Sequence, residues 1–211
     1  MVAEKEKGAR QRLYDAALSL FAQKGYNAVG TREIAKKAKV NIAMINYYYG
    51  GKAGILKTII NMAYEKHTAA ITNADMLQEP EKHIRAVIRN FIEFFRNNTE
   101  LALVAFDTIP YDNPEIIALR QKWEESKMNL VRKLFAGIGL NIENKVQVSI
   151  FNGFLSNIIL THFRGRYSLE QATGKVASVY DDAFYARYTE TLTRFYFDGV
   201  RGVIPKKRKK E

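Results

Sequence analysis

The chain of 211 residues has no cysteine, one tryptophan, three histidines and four prolines. Without cysteine there is no disulfide and no thiolate chemistry, which fits a reducing cytoplasm. His67, His83 and His162 stand far apart, in no nucleophile, acid/base or metal-ligand pattern. Neither catalysis nor a bound metal or cofactor is expected. Gly137-Ile-Gly139 follows a helical stretch rather than a strand, and reads as a helix stop, not a dinucleotide loop. No alternating strand pattern, internal repeat or low-complexity tract is present apart from a basic end. The first residues lead into an amphipathic pattern broken by Asp15, so no secretory signal is read and a cytoplasmic location is expected.

Formal charge is absent from the 18 residues Val146 to Phe163. That length raises the question of a membrane span. Gln147, Ser149, Asn152, Ser156, Asn157, Thr161 and His162 interrupt it, however, and a bilayer would leave their polar groups unpaired. No membrane partner is expected. A helix with so little charge on any side should be covered nearly all round by protein. Ser149, Gly153 and Ser156 form a stripe of small residues where another helix can approach closely. In a chain of this size the extra cover is expected from a second copy, giving a homodimer through residues 142–164 and 181–200.

Acidic residues are scarce at both ends. Residues 1–67 carry 12 Lys/Arg against 5 Asp/Glu, residues 201–211 carry 6 against 1, and the stretch 68–200 holds 15 against 16. The net charge of +11 therefore comes from the ends. A basic N-terminal region has the electrostatic footprint expected for DNA phosphates, and the balanced remainder must do something else. The run Pro205-Lys-Lys-Arg-Lys-Lys210 looks like a nuclear-import signal in isolation, but reads as non-specific DNA attraction or an ordinary solvated end.

What is present is helical. A 47% hydrophobic composition suffices for a packed core. The first helix is expected from about Glu6 to Lys24, stopped by Gly25, followed by two short helices within residues 31–52 and a longer one from Lys52 to about Ala74. Others should run from Pro80 to near Asn98, through Leu101 to Phe106, from Asn113-Pro114 to Gly137, and from Ile142 to Arg164. Ser168 with Gln171 has the spacing of a capping box, and Asp181 begins a last helix ending near Gly199. The expected fold class is all-α, with a helix-turn-helix domain at 1–51, a larger helical domain at 52–204 that includes the dimer helices, and a basic tail at 205–211.

Residues 31–52 read as two short helices joined by a tight turn. The first buries Ile34, Ala35 and Ala38, the second Ile45 and Tyr49, while Ile42, Ala43, Asn46 and Tyr47 share the opposite face. Small residues let that face enter a groove, and Asn46 can hydrogen-bond a base edge. Lys52 follows two glycines at a helix start, where the helix dipole disfavours a cation unless a phosphate lies there. Thr31 either caps its helix or donates to a phosphate, and Arg32 and Lys36 read as backbone-positioning charges. Each also has a plainer reading as a solvated surface residue.

Through Ala16-Ala17, Leu20-Phe21, Gly25-Tyr26, Thr31, Ile34-Ala35, Ala38, Val40-Asn41, Ile45-Asn-Tyr-Tyr-Tyr49 and Gly51-Lys52, the chain resembles the TetR family of transcriptional regulators. The resemblance covers roughly the first quarter of the chain, and its ordered spacing makes it specific. Lys39 stands where that family usually has the turn glycine, Gly30 replaces a usual threonine and Ala53 a usual acid. The resemblance implies contacts to a double-stranded DNA operator from Thr31, Arg32, Asn41, Ile42, Ala43, Asn46, Tyr47, Tyr48 and Lys52. It also implies a two-fold interface from the last two major helices and a small-molecule pocket.

Within residues 68–200, Phe91, Phe94, Phe106, Trp123, Phe151, Phe154 and His162 lie on several helices that can converge. With no excess of acid there, they suggest an apolar or amphiphilic effector, although each aromatic also reads as plain core. The expected function is a repressor released from a palindromic operator. The effector would favour a state whose two reading helices are wrongly spaced for successive major grooves, about 34–36 Å apart. The alternative is a ligand-independent nucleoid-associated or division-site DNA-binding protein of the same fold.

Overall fold

The computed structural model describes residues 2–72, 79–107, 110, 112–175 and 178–203, and the basic tail at 205–211 lies outside them. Among the described residues there are α-helices and no strands: α1 (Val2–Lys24), α2 (Thr31–Ala38), α3 (Ala43–Tyr49), α4 (Lys52–Thr72), α5 (Pro80–Asn97), α6 (Thr99–Phe106), α7 (Pro114–Gly137), α8 (Lys145–Thr173) and α9 (Asp182–Val203). They form two compact units, one of the residues up to Thr68 with Phe94–Trp123, the other of Ala69–Glu93 with the residues from Glu124 on. The contacts thus do not divide at residue 51. Most of α4, all of α6 and the start of α7 pack in one unit with the short helices.

The core of the first unit follows from helical spacing. Leu13, Ala17 and Phe21 of α1 are fully buried, as are Ile34 of α2, Ile55 and Ile59 of α4, and Ala102, Val104 and Ala105 of α6. Each large aliphatic side chain taken from water contributes about 1.5–3 kcal/mol. Gly25 ends α1 in the left-handed conformation at φ 78°, its N–H donating to the Phe21 carbonyl at 2.9 Å.

The α2–α3 turn is built without a glycine. Lys39 sits at φ 53°, ψ 46°, the only non-glycine at positive φ among the described residues. Its N–H donates to the Lys36 carbonyl at 3.2 Å and that of Val40 to the Ala35 carbonyl at 3.1 Å, the paired bonds of a Schellman ending. The backbone therefore keeps the turn, and the lysine side chain carries a conformational cost of about 1–2 kcal/mol. Lys39→Gly is expected to stabilise the chain by about 1 kcal/mol, since glycine also has more entropy to lose on folding. A denaturant midpoint at or below the parent's would contradict this.

In the second unit α8 departs from expectation at both ends. It begins at Lys145, where the Asn144 side chain accepts from the N–H groups of Val146 and Gln147, each at 3.1 Å. It then runs through Arg164 and the Ser168/Gln171 pair to Thr173, where Gly174 stops it at φ 66°. The capping-box reading of Ser168 is corrected, because Phe163 and Tyr167 remain buried on one side. Arg166 and Glu170 add an ion pair at 2.7 Å across one turn. The buried packing of Phe163 and Tyr167 before Ser168, with the ion pair that spans it, outweighs a capping preference worth about 1 kcal/mol. At the start of α9 the signal was sufficient: the Asp181 carboxylate accepts from the Phe184 N–H at 2.7 Å. Asn113 caps α7 in the same way, accepting from Glu115 and Ile116.

Candidate nucleic-acid interface

Ile45 is buried at 1% exposure and fixes which side of α3 faces inward. The outward side then carries Ile42, Ala43, Asn46 and Tyr47, all exposed, with Tyr47 at 70%. Asn41 turns its side chain back to accept from the Ala43 N–H at 2.9 Å, so it holds the start of α3. Tyr47 and Tyr48 meet edge to face at 4.9 Å between ring centroids. Tyr49, expected in the core, is half-buried. Its hydroxyl donates to the Arg10 carbonyl at 2.8 Å, and the Arg10 guanidinium lies 5.6 Å over its ring. Burial pushes the Tyr49 phenol upward, against the lowering effect of Arg10. These contacts tie α3 to α1.

On α2, Arg32, Lys36 and Lys37 are exposed, while Thr31 is half-buried in the first turn. The cap residue Gly30 offers no side chain, and its carbonyl accepts from Glu33 and Ile34 at 3.1 and 3.2 Å. Thr31 therefore follows a bare helix start and does not itself supply the cap.

Lys52 is placed differently from a solvated or outward-reaching lysine. Its ammonium donates to the carbonyls of Tyr26 at 3.0 Å and Val29 at 2.9 Å, and stands 4.0 Å from the centroid of the Tyr26 ring. Desolvation lowers its pKa, partly offset by the charge of Asp112. One turn along α4, Lys57 pairs with Glu115.

Gly54 is a structural residue that sequence reasoning missed. A Cβ there would lie 1.6 Å from the Tyr49 carbonyl oxygen and 2.8 Å from its carbon. The end of α3 thus rests directly on the backbone of α4, after the reversal at Gly50 (φ 69°) and Gly51 (φ 116°). The available signal was a glycine inside a helix, which costs about 1 kcal/mol against alanine and so suggests a packing reason.

The candidate effector rings fall into groups. In the first unit Trp123 stacks on Tyr64 at 5.2 Å and donates to Asn61 at 3.2 Å, while Phe106 packs against Tyr64, His67, Phe94 and Phe95. In the second unit Phe91 is buried, Phe151 meets Tyr196 edge-on at 5.7 Å, and Phe154 stacks on Phe195 at 5.5 Å. His162 lies among Phe163, Tyr180, Phe184, Tyr185 and Tyr188, its Nε2 3.3 Å from the Tyr185 hydroxyl. Burial and then the neighbouring Arg166 lower its pKa, favouring the neutral ring.

Two short helices in a basic unit, the second turning small and amide side chains outward, define a helix-turn-helix head. Residues 13–59, which include α2 and α3, match the model of bacterial regulatory proteins, tetR family. This chain is 26% identical over 107 residues to a probable HTH-type transcriptional regulator, YttP, of Bacillus subtilis, a match covering 49% of this chain and 52% of the relative. The chain spans about half the length of that relative. Among solved structures, a tetR-family regulatory protein from Rhodococcus RHA1 superposes with a TM-score of 0.64 at 21% identity, covering 89% of this chain and 96% of the other. FadR from Bacillus subtilis, in complex with stearoyl-CoA, has a TM-score of 0.61 at 16% identity, covering 90% and 98%. These structures share the fold. No helix among the described residues is long and apolar enough to cross a membrane.

Proposed function

We propose that the protein is a cytoplasmic, sequence-specific DNA-binding repressor, released from a palindromic operator by a small molecule. The observation that carries this reading is the outward face of α3, where Ile42, Ala43, Asn46 and Tyr47 stand exposed opposite buried Ile45. That face has the size and hydrogen-bonding groups to enter a major groove. Thr31, Arg32, Asn41 and Tyr48 flank it and are assigned to the DNA backbone, which sets register without reading sequence. Lys52, at the start of α4, is the remaining candidate contact to the DNA backbone, its ammonium anchored on the Tyr26 and Val29 carbonyls.

The effector is proposed to be apolar or amphiphilic. Phe94, Phe106 and Trp123 in one unit, and Phe91, Phe151, Phe154 and His162 in the other, are the candidate contacts, each group within its own unit. Support for an amphiphile comes from FadR of the same fold, whose solved complex contains stearoyl-CoA. The active species is proposed to be a homodimer through residues 142–164 and 181–200. No metal, cofactor or catalytic step is part of the proposal.

The specificity claim rests on Asn46, the one amide on the outward face of α3. Asparagine can pair bidentately with adenine, and losing such a pair costs about 1–3 kcal/mol of discrimination per half-site. Asn46→Ala is expected to relax preference at one symmetric pair of operator positions and to leave affinity for random DNA nearly intact. A binding-site selection decides it. If the variant selects the parent's consensus with uniformly weaker affinity, Asn46 positions the protein on phosphate and does not read the base.

A further inference from the structure

The C-terminal half of α8 and the first turns of α9, both in the second unit, share a chain of polar contacts. Arg166 donates from Nε to Glu170 at 2.7 Å and from Nη1 to the Tyr185 hydroxyl at 2.8 Å, and that hydroxyl lies 3.3 Å from Nε2 of His162. A guanidinium can only donate, so the Tyr185 oxygen accepts from it. A hydroxyl polarised in this way is a better donor than a second-time acceptor, and it gives its hydrogen to Nε2. The proton of the neutral ring then sits on Nδ1, which has no hydrogen-bond partner among the described residues. Beside it the Tyr188 hydroxyl is buried and has none either. Burial, and then the charge of Tyr185, push that phenol up to about 12, so it keeps its proton at neutral pH. A buried donor left unpaired costs stability and calls for a reason.

The surroundings of these two donors are apolar. The Tyr188 ring stacks on His162 at 4.7 Å between centroids, Phe184 lies near-parallel to the two at 5.9 and 5.6 Å, and Tyr180 stands edge-on to His162 at 5.5 Å. All four are half-buried, so the cluster is not closed core. Glu170 is committed to Arg166, and the Asp181 carboxylate to the Phe184 N–H. His162 follows Gly153 by about two and a half turns, which puts it on the opposite side of α8 from the small-residue stripe.

We propose that this cluster binds the carboxylate head of an amphiphilic effector, with the His162 Nδ1–H and the Tyr188 hydroxyl as its donors and Tyr180 and Phe184 as apolar walls. The proposal rests on the effector reading and names its chemical class. Two unused donors beside a guanidinium complement an oxygen anion, whereas an ammonium head would meet donors and a like charge. Arg166 acts through Tyr185: by fixing the tautomer it leaves His162 a donor, not an acceptor, for the ligand.

The test uses the full chain, titrated calorimetrically with octanoate, dodecanoate and phenylbutyrate, each against the alcohol of the same carbon skeleton. At least one carboxylate is expected to bind roughly ten-fold or more tightly than its alcohol. Tyr188→Phe removes one oxygen and keeps the ring. It should weaken that carboxylate roughly ten- to a hundred-fold, as expected for a hydrogen bond to a charged group, and affect the alcohol less. Without ligand the same variant should melt at or above the parent's temperature, because it loses an unpaired hydroxyl. This split between binding and melting separates recognition from a structural role. His162→Asn, which offers an amide N–H in place of Nδ1–H, should keep more affinity than His162→Leu. An unchanged carboxylate affinity in Tyr188→Phe overturns the inference. So does a melting temperature below the parent's, which would mean that a trapped water or another polar group already satisfies the hydroxyl. The inference falls equally if no carboxylate of the panel binds, or if each alcohol matches its acid. A carboxylate that binds through Tyr188 yet leaves affinity for duplex DNA unchanged would keep the site and remove the effector reading.

Discussion

Gly54→Ala is expected to disrupt the corner between α3 and α4, lowering Tm by about 6–12 °C and abolishing operator binding. The added methyl would stand 1.6 Å from the Tyr49 carbonyl oxygen, and all three of its nearest atoms belong to the Tyr49 backbone, which cannot rotate away as a side chain can. Tyr49 is the last residue of α3, and its hydroxyl is tied to the Arg10 carbonyl. Moving it shifts the reading helix and strains its link to α1 together. Overpacking costs typically about 1–3 kcal/mol, and a contact this short, against backbone, belongs at the upper end or beyond. Gly50→Ala supplies the comparison, because its Cβ would meet nothing within 4 Å and carries only the penalty of φ 69°. That should cost about 1–2 kcal/mol. Thermal melts of the two variants separate lack of space from backbone conformation. A Gly54→Ala protein melting within a degree or two of the parent would mean that the corner is built differently.

The same residues show where sequence reading works and where it stops. Ile34, Ala35, Ala38 and Ile45 recur at helical spacing, and they are buried in the structure. Helix ends set by a neighbouring side chain, at Asn113 and Asp181, were equally legible, since cap and capped N–H lie within three residues. Ser168 carried an equally local signal and was overruled. Its competitors were the packing of Phe163 and Tyr167 and the Arg166–Glu170 pair, none of which a capping pattern contains. Lys52 and Gly54 mark the other limit. The partners of Lys52 lie 26 and 23 residues earlier in the chain, and the constraint on Gly54 arises from the fold of a two-glycine reversal. Spacing marks a lysine and a glycine at these positions as unusual without naming what each one touches. The candidate effector rings were legible as a set of aromatics, but their division between two units is a property of the tertiary contacts.

Gly153→Leu is expected to shift a dimer toward monomers without unfolding either one. Among the described residues a Cβ at Gly153 meets only the Asn157 amide at 3.7 Å, an ordinary contact. Packing among the described residues therefore leaves α8 open at this stripe, and the same holds along its flank. Val146 is 67% and Ile150 57% exposed, and on α9 Phe195 is 62% exposed while stacked on Phe154. Exposed apolar side chains on two helices of one unit call for cover that the described residues do not supply. Another copy of the same surface, related by a two-fold axis, is the proposed cover. Overpacking such an interface costs about 1–3 kcal/mol, or roughly a 5- to 150-fold weaker association, and the two-fold axis introduces the leucine twice. Sedimentation at low micromolar concentration would register the shift, with helical content and melting of the separated chains close to the parent's. The consequence for DNA is selective. A palindrome is read by two heads held about 34–36 Å apart. Losing the dimer should therefore weaken operator binding far more than binding to random duplex. An unchanged dimer at that concentration would place the interface elsewhere on the molecule. Monomers that still bound the operator as tightly as the parent would remove the need for two-fold reading altogether.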